Sequence, residues 1–130
     1  MSKIIDVIDN LEDLLALKPA TDEEIENVEI ELALQLSDEY KEYLRKYGAI
    51  LAMDIELTGI AKAKHRDVVQ VTKKEWTANS KVSHKLYVVE DVAIDGIVIW
   101  QDSEGKIYES TPGSEPKEIY DSLAEYIVNK

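Results

Sequence analysis

The sequence predicts an α+β fold with N-terminal helices first, a mostly antiparallel sheet second and a C-terminal helix last. Three observations predict it. The first third places apolar residues at helical spacing between recognisable caps; the middle and later parts carry short β-branched and aromatic runs bounded by Asp and Gly; and the final stretch returns to a helical stripe. With 130 residues, 45% hydrophobic and 32% charged, the chain has enough apolar surface to offset its conformational entropy, and its length suits one domain over residues 1–130. No repeat, low-complexity tract or linker interrupts it.

The elements follow in order. Residues 4–17 set Ile4, Ile8, Leu11 and Leu15 on one side and Asp6, Asp9, Glu12 and Asp13 mostly on the other, which predicts an amphipathic first helix. Lys18-Pro19-Ala20 interrupts it, because proline disfavours helical geometry in the residue before it and cannot donate to the preceding turn. Thr21 with Glu24 forms a capping-box pattern, and Ile25, Val28 and Leu32 continue as the stripe of a second helix. Ser37 is the expected cap of a third helix, lined by Tyr40, Tyr43, Leu44 and Tyr47 and closed by Gly48. Ile50 to Leu57 reads as extended, one strand or two, with a turn at Thr58-Gly59. Over 66–77 the valines favour strand, but Asp67 as a cap and the Lys-rich tail ending in Trp76 favour helix, which is the reading adopted. Leu86 to Val89 and Ile97 to Trp100 read as buried strands. The Asp102-Ser103-Glu104-Gly105 turn returns the chain through Lys106 to Glu109, residues 111–116 form a loop, and a last helix is expected with Ile119, Leu123, Tyr126 and Ile127 on one side.

Charge narrows the function. Lys and Arg number 15 against 27 Asp and Glu, a net charge of −12, and such a field repels phosphate, so free nucleic acid is excluded as a ligand class. The distribution is uneven: residues 1–60 sum to −10, residues 61–85 to +5 and residues 86–130 to −7. The plain explanation is internal balance, with Lys62, Lys64, Arg66, Lys73, Lys74, Lys81 and Lys85 lying near the acids of the helices. The absence of cysteine removes disulfides, thiolate nucleophiles and Cys-based zinc sites. The N-terminus lacks the apolar core and basic flank of a secretion signal, and no apolar run approaches the length of a spanning helix, so a cytoplasmic location without membrane insertion is expected.

The usual chemical signatures are missing. His65 and His84 have no carboxylate or second histidine at metal-ligand spacing, so no metal is expected and both read as surface residues of a Lys-rich stretch. No Ser sits in a nucleophile elbow, and five dispersed glycines cannot cradle a phosphate, which leaves no foothold for a cofactor. Residues 102–105 lack the ligand order of a calcium loop and read as a turn. A carboxylate pair working as in a glycosidase is the one enzymatic possibility the composition leaves open. Trp76 and Trp100 suit either an interface or the core, and the core is the plainer place for each.

Thr21-Asp22-Glu23-Glu24-Ile25-Glu26, then Leu36-Ser37-Asp38-Glu39-Tyr40-Lys41-Glu42-Tyr43-Leu44 with Tyr47-Gly48, resemble the opening helices of the SMI1/KNR4 family, also called the SUKH superfamily. Leu57-Thr58-Gly59-Ile60, Asp67-Val68-Val69 with Thr72, Val88-Val89-Glu90-Asp91, Asp95-Gly96-Ile97, Gln101 to Tyr108 and Tyr120 to Ile127 follow in that family's order and span nearly the whole chain. The resemblance implies an α+β fold. For single-domain bacterial members it also implies a non-enzymatic immunity protein that binds and neutralises a toxin, often a nuclease or another nucleic-acid-modifying enzyme. An acidic protein gains association rate and complementarity against such a basic enzyme.

On this reading the partner is a protein, with no direct nucleic acid, no membrane, no cofactor and no metal. The candidate partner-binding residues are Glu90, Asp91, Asp95, Asp102 and Glu104, which fall at strand ends and turns where side chains can project. For any one of them a solvated turn residue is the plainer explanation, because surface carboxylates need no function to account for them. The alternative function is a regulatory or scaffolding interaction module with an endogenous partner.

Overall fold

The structure is a computed structural model and describes residues 3–92 and 94–130. Its elements run α1 (Lys3–Asp9), β1 (Leu15–Ala16), α2 (Asp22–Leu32), α3 (Asp38–Tyr47), β2 (Ile50–Ala52), β3 (Ile55–Leu57), α4 (Val68–Ala78), β4 (Tyr87–Asp91), β5 (Val98–Gln101), β6 (Ile107–Ser110), β7 (Lys117–Tyr120) and α5 (Leu123–Val128). The strands form two antiparallel sheets, ordered β1-β2-β3 and β4-β5-β6-β7. This is the predicted α+β class, with the strands divided between two sheets.

The caps are where the sequence puts them. Thr21 Oγ1 accepts from Glu24 N and the Glu24 side chain accepts from Thr21 N, a complete capping box. Ser37 caps α3 by accepting from Tyr40 N, and Asp67 caps α4 by accepting from Gln70 N, each without the reciprocal bond of a box. Two expectations fail. The first helix stops at Asp9 rather than Leu17: Asn10 turns its side chain back onto Asp6 O, Asp13 adopts φ 55°, and Leu15–Ala16 leave helical geometry to pair with Leu51 and Ile50. The apolar spacing of Leu11 and Leu14 is satisfied because both still pack against the core from a loop. The last helix is also shorter than expected, since Lys117–Tyr120 pairs with β6 and places Ile119 in a strand.

The second sheet is covered on both faces, which explains its uninterrupted apolar runs. Tyr87, Val89, Ile99 and Ile107 face the main core with α1, α2, α3 and α5, while Val88, Val98 and Trp100 pack with Val71, Val82 and Leu86 on the other side. Trp100 is 1% exposed and donates Nε1–H to Ser110 Oγ at 2.8 Å. Trp76 is half-buried; it donates to Leu86 O and stacks on the exposed His84 ring at 4.2 Å.

The two sheets meet at β3 and β4, where Thr58 N donates to Val89 O at 2.9 Å. Side chains complete the seam. Thr58 Oγ1 donates to Val88 O and pairs with Tyr40 Oη, and Tyr43 Oη donates to Thr58 O while accepting from Ile50 N. Gly59 follows immediately. A Cβ there would stand 1.9 Å from Gly48 O and 2.8 Å from Ala49 Cβ, so the α3–β2 turn and the β3–α4 connection touch backbone to backbone.

Two outcomes follow. Gly59→Ala is expected to destabilise the fold by about 3 kcal/mol, the upper part of the overpacking range, as measured by urea denaturation, because the clashing atoms are main chain and cannot rotate away. Alkaline pH is expected to unfold the protein. Burial, the first cause in each case, raises the Tyr40, Tyr43 and Tyr87 hydroxyls well above the ordinary tyrosine range, so the native state keeps its protons where the unfolded chain, with a pKa of about 10, releases them. Stability is therefore unaffected below about pH 10 and falls above it, by about 1.4 kcal/mol per buried tyrosine at pH 11. Urea midpoints from pH 8 to 11, read with phenolate absorbance, test this: phenolate should appear together with unfolding.

Candidate partner-binding surface

The five carboxylates predicted to contact a partner do not come together. Glu90 and Asp91 end β4 and Asp95 lies in the β4–β5 turn, whereas Asp102 and Glu104 lie in the β5–β6 turn at the other end of β5. Four strand residues separate the two groups, about 13 Å at 3.3 Å per residue.

Glu90 does not project at all, which corrects its expected place on the surface. It is 3% exposed, its Oε2 accepts from Glu56 N at 2.9 Å, and its Oε1 accepts from Tyr126 Oη at 2.5 Å and Lys130 Nζ at 2.9 Å. The cause is a break in alternation. The β4–β5 register shifts between Val88 and Glu90, so Glu90 pairs with Ile99 and turns toward the main core, the side that Val89 already faces. The carboxylate thereby joins β3, β4 and α5.

Asp102 is half-buried and committed to its own turn. Its Oδ1 accepts from Glu104 N and Lys106 N, each at 3.0 Å, and its Oδ2 accepts from Tyr108 Oη at 2.9 Å. Partial burial together with that bond pushes the Tyr108 hydroxyl up to about 12. Asp91, Asp95 and Glu104 are exposed. Asp91 lies near Glu75 of α4, whose carboxyl is raised first by its own burial and then by the Asp91 charge. Asp95 holds φ 53°, a left-handed turn conformation that Asp tolerates better than most residues.

Beside Glu104 lies a groove of about 450 Å³ between the β5–β6 turn and the starts of α3 and α5, lined by Asp38, Glu39 and Asp121 among others. Its chemistry is structural. Glu39 accepts from Leu123 N at 2.7 Å, Ala124 N at 3.0 Å and Gln101 Nε2 at 2.8 Å, so a side chain of α3 satisfies the orphan donors at the start of α5. Among the described residues, no group of three or more His, Asp or Glu is placed to hold a metal ion, and no helix is long and apolar enough to cross a membrane.

The basic segment is balanced only in part. Arg66 lies 3.4 Å from Glu56 and Lys73 lies 3.3 Å from Glu31. Among the described residues Lys62, Lys64, Lys74, Lys81 and Lys85 form no ion pair within 4.0 Å.

The outer face of the first sheet is covered in part, since Glu56 of β3, opposite Leu51, is half-buried and lies 3.4 Å from Arg66. Ile50, Ala52, Ile55 and Leu57 point into the core, and the alternate residues face outward: Leu51 is 38% exposed, opposite Leu15 at 65% on β1, with Leu17 at 38% and Met53 at 66% continuing the apolar surface. Sequence reading missed this surface because Leu15 fits a helix stripe, and only its pairing with Leu51 on β2 turns it outward.

Helices capped at Thr21, Ser37 and Asp67, the Gly48–Gly59 contact and the two antiparallel sheets thus arrange the motifs noted in the sequence. The chain matches the family described as SMI1-KNR4 cell-wall over residues 1–130. It belongs to the SMI1/KNR4 family. Comparison with curated proteins finds no match. SMI1/KNR4 domains of the SUKH type are generally associated with immunity proteins and are typically non-enzymatic.

In this SMI1/KNR4 domain the buried and exposed acids are expected to separate on mutation. Glu90→Ala strands Tyr126, Lys130 and Glu56 N, and urea denaturation should show a loss of about 3 kcal/mol. Asp95→Asn and Glu104→Gln should each stay within about 0.5 kcal/mol of the unmodified protein.

Proposed function

We propose that this protein is an immunity protein that binds a cognate toxin domain and neutralises it by covering its working surface, with no bond made or broken by its own side chains. The observation that carries this reading is the family match along all 130 residues, since that family is associated with immunity. The net charge of −12 supports it and suggests the target class. A nuclease or other nucleic-acid-modifying toxin grips phosphate with a basic surface, and an acidic inhibitor gains association rate and complementarity against that surface. Asp95 and Glu104, exposed at opposite ends of the second sheet, contribute to this long-range field from wherever contact is made. The site of action in this proposal is the cytoplasm.

Coexpression with the toxic domain encoded beside this protein tests the reading. Survival of cells that otherwise die, with copurification in fixed stoichiometry, is the expected result. Death at the unprotected rate without copurification would overturn it and favour a regulatory or scaffolding module with an endogenous partner.

A further inference from the structure

We infer that the toxin-contacting surface is the outward stripe of α2, where an apolar groove at Ile30, Ala33 and Leu34, bordered by the carboxylates of Glu23 and Glu26, receives arginine or lysine side chains of a basic protein partner. The inference rests on the immunity reading above and names its interface.

The stripe is continuous. Glu23, Glu26, Asn27 and Ile30 recur at i, i+3, i+4 and i+7 on α2, on the side of the helix opposite the buried Ile25, Val28 and Leu32, and all four are exposed. Ala33 and Leu34 extend it, and Glu26, Glu29, Ile30, Ala33 and Leu34 line one open groove of about 380 Å³. The neighbouring helices reach only its flanks. Glu29 on one side lies 3.4 Å from Lys41 of α3, and Glu31 on the other lies 3.3 Å from Lys73 of α4.

Two residues of the groove run against ordinary helix chemistry. Ile30 is 69% exposed on a face where a solvated helix carries polar residues. Ala33 ends the helix at φ 53°, ψ 45°, a left-handed position that glycine usually fills. A single exposed isoleucine needs no explanation, but one that shares a groove with Ala33 and Leu34 forms an apolar floor. The rim selects what lies on it. Helix α2 holds six acids among its eleven residues and no Lys or Arg. Among the described residues Glu23 and Glu26 form no ion pair within 4.0 Å, so their charge is available to a partner. An apolar floor with carboxylates at its edge suits the aliphatic stem and cationic head of arginine or lysine, the side chains with which a nucleic-acid-modifying toxin grips phosphate. The same acids argue against a second copy of this chain as the occupant, since a two-fold contact through this stripe would set one acidic helix against another.

The test uses the full chain and a catalytically inactivated form of the toxic domain encoded beside it, with affinity and rates from surface plasmon resonance. Because Ile30 faces water, Ile30→Lys should keep the native melting temperature while affinity falls about tenfold or more, mainly through faster dissociation. Glu23→Gln with Glu26→Gln should slow association and flatten its salt dependence. Ala33→Gly suits the left-handed position, so it should raise the melting temperature while weakening binding, a split that a purely structural role would not give. Unmodified protein that binds while the Ile30→Lys and Glu23, Glu26 variants bind equally well overturns this interface and leaves the immunity reading standing. Unmodified protein that does not bind overturns both.

Discussion

Everything in this fold depends on a narrow seam. Two antiparallel sheets must hold one another although, among the described residues, their backbones share a single hydrogen bond, Thr58 N to Val89 O. Helix α3 supplies the remainder by laying tyrosines across the junction: the Tyr40 hydroxyl reaches the Thr58 side chain and Tyr43 reaches its carbonyl and Ile50 N. Tyr87, from the second sheet, donates to Gln101 and also accepts from Ser37 N, which fastens the start of α3 to β4 and β5. These groups are fully buried, so each hydroxyl must find a partner or incur a desolvation cost. A phenylalanine core could fill the same volume without specifying where the sheets meet. That constraint explains why a chain with seven tyrosines and no phenylalanine packs so many of them inside.

The excess of acid divides into two populations with different physics. Glu90 and Glu39 act as internal fasteners, each collecting donors from elements distant in sequence. Most of the others remain in water and set the field around the molecule. The charge of −12 therefore does not describe a uniform anionic shell. The parts best suited to gripping another protein are those where carboxylates border apolar area, because field directs encounter while desolvated apolar contact resists separation.

Local chemistry was legible in the sequence wherever it acts within a few residues. The Thr21–Glu24 box, the Ser37 and Asp67 caps and the turn at Asp102 need no information from distant parts of the chain, and each is present. What escaped depends on partners far away. Leu15 and Ala16 fit a helix as well as a strand, and pairing with Leu51 and Ile50 decides between them. Ile119 follows the same logic through β6. Glu90 was expected to project from a strand end, and the bulge that turns it inward is a property of two strands together. The apolar surface of the first sheet was hidden for the same reason: nothing in residues 11–17 alone says which leucines face water.

The cap that Glu39 places on α5 has a temporal consequence. That helix has six residues, too few to persist on its own in water, and the carboxylate that completes it comes from 84 positions earlier in the chain. Contacts of such separation close late, because the intervening polypeptide must surrender its freedom before they form. A nascent chain leaving the ribosome consequently holds Glu39 without its amide partners until residues 123 and 124 have emerged, and the start of α5 is completed only then.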